Sequence, residues 1–104
     1  MIKAVFYKNK NSFNGFEISG HSGYAKRGED IVCASVSVVS LHTARILNEE
    51  CSVIDILQQD EEGRLSVKLN GTDDLTVMLI KNLIKTLREI QDEYSGYLSV
   101  EVKE

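Results

Sequence analysis

Two side chains in this sequence have the types and spacing for nucleophilic chemistry: His21, in the glycine-rich stretch GHSGYAKRGED (residues 20–30), and Cys33, twelve positions further on. Asp30 is a good helix N-cap, so Cys33, three residues later, falls in the first turn of a helix. A thiol there faces unpaired backbone N–H groups and the positive end of the helix dipole, both of which favour the thiolate, its reactive form. A histidine on a loop able to fold back over that helix end completes a Cys/His pair, and the same N–H groups, with the backbone of Gly23 or Gly28, offer an oxyanion site. Each residue also has a plainer reading. An isolated cysteine in an apolar helix is usually an inert small hydrophobe, and a loop histidine is usually solvated.

The neighbouring residues are double in the same way. Asp30 is a cap alone, or a cap that also orients His21. Ser37, four residues after Cys33 and on the same helix face, either supports the site or bonds its own helix carbonyl. Lys26 and Arg27 either hold a substrate backbone or keep the loop soluble. Tyr24, the aromatic inside the loop, is a candidate contact for an apolar substrate side chain, whereas Phe6, Tyr7, Phe13 and Phe16 read as core residues of strands.

The second cysteine stands apart. If one helix and its exit run from Cys33 to Cys51, 18 residues at about 1.5 Å each separate the sulfurs by roughly 27 Å, far beyond the ~7 Å limit between Cα atoms in a disulfide. The same distance defeats a shared zinc site, and there is no Cys-x-x-Cys or closely spaced His pair, so no metal and no cofactor is expected. His42, mid-helix, reads as structural.

The elements that must position these residues are legible from periodicity. Residues 2–8 and 13–19 are short β-prone runs joined by the polar turn Asn9-Lys10-Asn11-Ser12, a hairpin. The 20–30 stretch, with three glycines in eleven positions and no apolar period, is a mobile loop between packed elements. From Asp30 the chain alternates Ala34, Val36 and Val38 with serines as a strand would, but its length, its cap and the tail LHTARILNEE decide for a helix of about 18 residues, apolar nearly all round and largely buried. Two further strands at 52–59 and 64–69 flank the turn Asp60-Glu61-Glu62-Gly63. A helix from Leu75 to Tyr94 follows, capped by Thr72, Asp73 or Asp74, with its stripe at Leu75, Leu79, Leu83, Leu87 and Ile90 or Tyr94 and its stop at Gly96. A last strand, YLSVEVK, closes the order ββαββαβ: one domain over residues 1–104, an α+β two-layer sandwich with a mixed or antiparallel sheet of about five strands and two helices on one face.

Composition excludes several classes. With 104 residues and two cysteines the chain needs no disulfide framework, and without proline it holds no proline-rich linker. No stretch approaches about 18 apolar residues, so no membrane partner is expected and a soluble protein of a reducing compartment fits. Twelve basic against sixteen acidic residues give a net charge of −4, which argues against direct nucleic-acid binding and suits a basic protein partner. Five of the basic groups (Lys3, Lys8, Lys10, Lys26, Arg27) lie in the first 30 residues, so the acidic excess belongs to the rest.

The run Gly20-His21-Ser22-Gly23-Tyr24-Ala25, then Gly28, then Asp30-Ile31-Val32-Cys33-Ala34-Ser35-Val36-Ser37 resembles the signature of the ribosomal-processing cysteine protease family, Prp, and length and element order agree across nearly the whole chain. Relatives commonly carry alanine where Ser22 and Ser35 stand, small-for-small changes that leave the catalytic pair intact. The resemblance implies a bacterial cytoplasmic endopeptidase that removes the N-terminal extension of large-subunit ribosomal protein number 27 during ribosome assembly. It implies Cys33 as nucleophile, His21 as general base, Asp30 and Ser37 in support, Gly20, Gly23, Tyr24 and Gly28 in a substrate-binding loop that orders with the peptide, and a homodimer. The rival classes are a non-catalytic assembly module or chaperone that captures the same extension, and a thiol redox sensor using Cys33.

Overall fold

The N-terminal runs pair as expected. In the computed structural model, which describes residues 1–51, 53–59, 63–71 and 73–104, β1 (Ile2–Asn9) and β2 (Ser12–Ser19) form an antiparallel hairpin. Its turn is closed by the Ser12 hydroxyl donating to the Asn9 carbonyl at 2.8 Å. Phe6 faces Phe16 across the strands, ring centroids 5.3 Å apart, and both rings are buried. Each such ring contributes about 1.5–3 kcal/mol by leaving water.

After α1 (Ile31–Glu50), β3 (Val53–Gln59) and β4 (Arg64–Gly71) make a second antiparallel pair. α2 (Asp74–Glu93) then crosses back, and β5 (Leu98–Lys103) pairs in parallel with β1. The result is one mixed sheet in the order β3-β4-β2-β1-β5 within an α+β fold of order ββαββαβ. Of the sequence-read positions, Ser52, the turn residues Asp60, Glu61 and Glu62, and the cap candidate Thr72 lie outside the described residues.

Strand alternation sorts the two faces. Ile2, Ala4, Phe6, Phe16, Ile18, Leu65, Val67 and Leu98 register together on the face that the helices cover, and all are buried. Lys3, Glu17, Arg64 and Lys68 point to the open face, where Glu17 and Arg64 pair at 3.3 Å. Tyr7 belongs to this open face, 42% exposed, so it is not the core aromatic that its strand suggested.

α1 differs from its expected face, and α2 differs at the start of its stripe. The stripe read for α2 advances four residues at a time, and each such step drifts about 40° round the helix. The buried residues are Thr76, Ile80, Leu83, Ile84 and Leu87, with Leu79, Ile90 and Tyr94 half-buried against the core, so of the expected stripe Leu75 alone is exposed. Asp73 caps this helix, accepting the Thr76 N–H at 2.9 Å. α1 is not enclosed: it buries Val32, Val36, Ser40, Thr43, Ala44 and Leu47, but Val38 is 71% exposed. Although α1 is long and apolar enough by composition to cross a membrane, its buried side belongs to the domain core. Two helices over five strands leave the other flank of α1 uncovered, and that flank becomes one wall of the cleft described next.

Candidate active site

Asp30 joins the start of α1 to the loop before it. In extended backbone (φ −89, ψ 102), its Oδ1 accepts the Cys33 N–H at 2.9 Å, so the residue that starts the helix also fixes the backbone of the thiol-bearing residue. Its Oδ2 faces the 20–30 loop, where it accepts a short hydrogen bond from the Ser22 hydroxyl and another from the Ala25 N–H at 3.3 Å. Burial alone would push this carboxyl up. Hydrogen bonds from the Ser22 hydroxyl, from the N–H groups of Cys33 and Ala25 and from the Cys33 thiol outweigh it, and hold the pKa at about 2. At neutral pH Asp30 is a carboxylate.

Ser22 is buried between that carboxylate and the sulfur. Its Oγ accepts the Tyr24 N–H at 3.1 Å and the Cys33 thiol at 3.6 Å, while its own N–H points at Sγ from 3.4 Å. The N–H that reaches the sulfur therefore comes from the loop, whereas the helix N–H of Cys33 itself is taken by Asp30.

His21 occupies the other wall. The Gly20 N–H donates to the Gly63 carbonyl at 3.0 Å, which ties the loop's first residue to the turn before β4. A Cβ on Gly63 would stand 2.7 Å from the Gly20 carbonyl oxygen, 2.9 Å from His21 Cε1 and 3.2 Å from Nε2. The imidazole thus lies flush against bare backbone, and Gly63, at φ +62, is the residue that allows it. None of the described hydrogen bonds joins His21 to Cys33.

His21 and Cys33 line one cleft of about 570 Å³ between α1 and the β2–β4 side of the sheet. Ser37 lines it four residues along the helix, and Gly20, Gly23 and Gly28 line it from the loop. Tyr24 does not: its ring packs edge-on against Tyr94 and Tyr97, centroids 5.4 and 5.1 Å away, and anchors the middle of the loop to the end of α2. Cys51 is the C-cap residue of α1, and both cysteines are free thiols.

A family model described as cysteine protease Prp matches residues 1–99. The chain belongs to the cysteine protease Prp family. No curated protein sequence matches it. Among solved structures, the essential ribosomal processing protease Prp from S. aureus with a covalently linked product peptide superposes at TM-score 0.90 with 23% identity, covering 99% of this chain and 100% of that one. The same S. aureus protease with a substrate peptide gives a TM-score of 0.83 at 22% identity, covering 99% and 100%. SMU.848 from Streptococcus mutans gives 0.83 at 23%, covering 98% and 93%. At these identities the structures establish a shared Prp fold.

Two residues of this Prp site escaped the sequence reading. Ser22 reads in sequence as a small-for-small exchange, yet its hydroxyl is the bridge between Asp30 and Cys33. The available signal was its position, directly after the loop histidine and facing a cap with a spare carboxylate oxygen. Gly63 read only as a turn residue. It meets His21 because β4 pairs with β2, whose end leads into the loop, and that long-range adjacency has no local signature.

Proposed function

We propose that this chain is a ribosomal-processing cysteine endopeptidase acting in the cytoplasm as a homodimer. Its substrate is the N-terminal extension of large-subunit ribosomal protein number 27, with Cys33 as nucleophile and His21 as general base. The observation that carries this reading is a histidine and a helix-start thiol on opposite walls of one cleft in a Prp-family chain. The covalently linked product peptide of the S. aureus protease is consistent with thiol attack. An acidic enzyme also suits a basic ribosomal protein.

In the reaction, closure of the 20–30 loop over an extended peptide moves the imidazole from Gly63 towards the sulfur. The thiol proton passes to His21, the thiolate attacks the scissile carbonyl, and the Ser22 N–H stabilises the sulfur while it is charged. The imidazolium then gives its proton to the departing amine, the C–N bond breaks, and a thioester remains on Cys33. Water deprotonated by His21 hydrolyses that thioester and restores the thiol. Asp30 acts by holding the thiol-bearing turn and the loop together, and Ser37 lies where the peptide runs along α1.

The second reading, a binding module for the same extension, is favoured by one observation: His21 and Cys33 are not hydrogen-bonded to each other in the described structure. A peptide spanning the extension junction separates the two. Cleavage that disappears in Cys33→Ala supports the protease; tight binding of an intact peptide supports the module.

A further inference from the structure

We propose that the Ser22 hydroxyl holds Cys33 in its protonated, resting form, so that removing the hydroxyl frees the thiolate. The inference builds on the reading of Cys33 as nucleophile, but its test measures the thiol and not the protease.

The argument is one of proton accounting. An ionised carboxylate only accepts hydrogen bonds, so Asp30 obliges Ser22 to spend its single hydroxyl proton on Oδ2. What Ser22 Oγ turns towards its other neighbours is then lone pairs. One neighbour is the Tyr24 N–H at 3.1 Å, a fixed donor, and the other is Cys33 Sγ at 3.6 Å. A sulfur facing a lone pair is stabilised when it carries its proton and destabilised when it does not. The buried position of Ser22, 4% exposed, keeps bulk water from blunting the effect.

The same residue also presents its backbone N–H to the sulfur at 3.4 Å, which favours the anion. The two contacts act at different stages. The hydroxyl retains the proton while His21 stands away against Gly63, and the N–H supports the charge once the proton has left. Ser22 is thus a positioning residue that sets the resting protonation state. The other titratable groups around the cleft are Asp30 from the cap and His21 and Arg27 from the loop, while the Arg64 guanidinium is paired with Glu17 on the open face; Asp30 disfavours the thiolate and Arg27 favours it. These side chains all remain in Ser22→Ala, but the substitution also takes a hydrogen bond from Asp30, so the comparison with an Asp30→Asn background separates the hydroxyl's effect on the sulfur from its effect on the carboxylate.

The test is titration of Cys33 in the full chain carrying Cys51→Ser, read by thiolate ultraviolet absorbance and by iodoacetamide alkylation. Ser22→Ala is expected to lower the Cys33 pKa and to raise alkylation near neutrality about three- to tenfold, the range of one hydrogen bond. Ser22→Thr, which keeps a hydroxyl, should restore the parent value. The decisive arm is Asp30→Asn, which still caps the helix through Oδ1 but presents an N–H to Ser22. The hydroxyl proton is then free to turn towards sulfur, so Ser22→Ala in that background should raise the Cys33 pKa, a reversal of sign. A role for Ser22 in packing alone gives the same sign in both backgrounds and overturns the inference, as does an unchanged or raised pKa in Ser22→Ala by itself. If Ser22→Ala does not fold, Ser22→Gly compared on the two backgrounds asks the same question. If peptide cleavage fails while the titrations behave as expected, the proposed function falls and the thiol assignment stands; the converse pattern removes only the thiol assignment.

Discussion

The two helices of this domain begin in almost the same way, and only the start of α1 lines the cleft. Both run for 20 residues, both carry an aspartate N-cap, and both caps accept the N–H three residues on at 2.9 Å. At α2 that third residue is Thr76, whose hydroxyl turns back to the second Asp73 oxygen at 2.8 Å. The cap is closed on itself, and these hydrogen bonds, the Thr76 N–H first, lower the Asp73 pKa. At α1 the third residue is Cys33, and the second Asp30 oxygen takes its partners from Ser22 and Ala25 in the preceding loop. Leaving one carboxylate oxygen for a distant segment converts a local cap into a joint between a helix and a loop.

The largest expected contrast lies in chemistry. Cys33→Ala should abolish cleavage of the junction peptide, and His21→Ala should slow it by about 10²–10⁴-fold, while Thr76→Ala at the matching position of α2 leaves the rate per folded molecule unchanged. Steady-state kinetics on folded protein measures all three. Next comes Gly63→Ala. Its Cβ would stand 2.9 Å from His21 Cε1, so cleavage should fall at least tenfold through kcat with a smaller change in KM, and the His21 ring resonances should shift by NMR.

The caps themselves come third. Asp30→Ala removes a helix cap and a loop anchor, and should cost about 0.5–2 kcal/mol in denaturant unfolding from the cap alone. It should also alter Cys33 alkylation. Asp73→Ala should lower the melting temperature and leave Cys33 reactivity untouched. The smallest effect is on pH. A carboxyl held at about 2 contributes stability that is complete above the unfolded aspartate value, near 4, and is lost as pH falls from there towards 2. In a thermal-melt series, Asp30→Asn should flatten this acid limb, with no change in slope above about pH 5.

Most of the architecture was legible because it rests on local patterns. The order of elements, the Asp30 cap and the hairpin of β1 with β2 all follow from propensity and alternation. The packed face of α2 followed at Leu79, Leu83, Leu87, Ile90 and Tyr94 but not at Leu75, because a run of leucines four apart drifts round a helix, and the side chains that dock alternate steps of three and four. The exposure of α1 was also hidden: an apolar helix with Val38 open to solvent looks the same in sequence as a buried one. Within the site, His21 and Cys33 stood out by residue type, but Ser22 and Gly63 act through contacts that only tertiary structure brings together. Tyr24 shows the limit from the other side, since its type suggested a substrate contact while its ring packs on Tyr94 and Tyr97.

The central claim, that the thiol at the α1 cap is the nucleophile, is tested most directly by intact-mass analysis of the protein during turnover of the junction peptide. The expected result is a transient mass increase equal to the N-terminal fragment as a thioester, mapped to Cys33 and missing in Cys33→Ala. An adduct on Cys51, or cleavage that continues in Cys33→Ala, would contradict it.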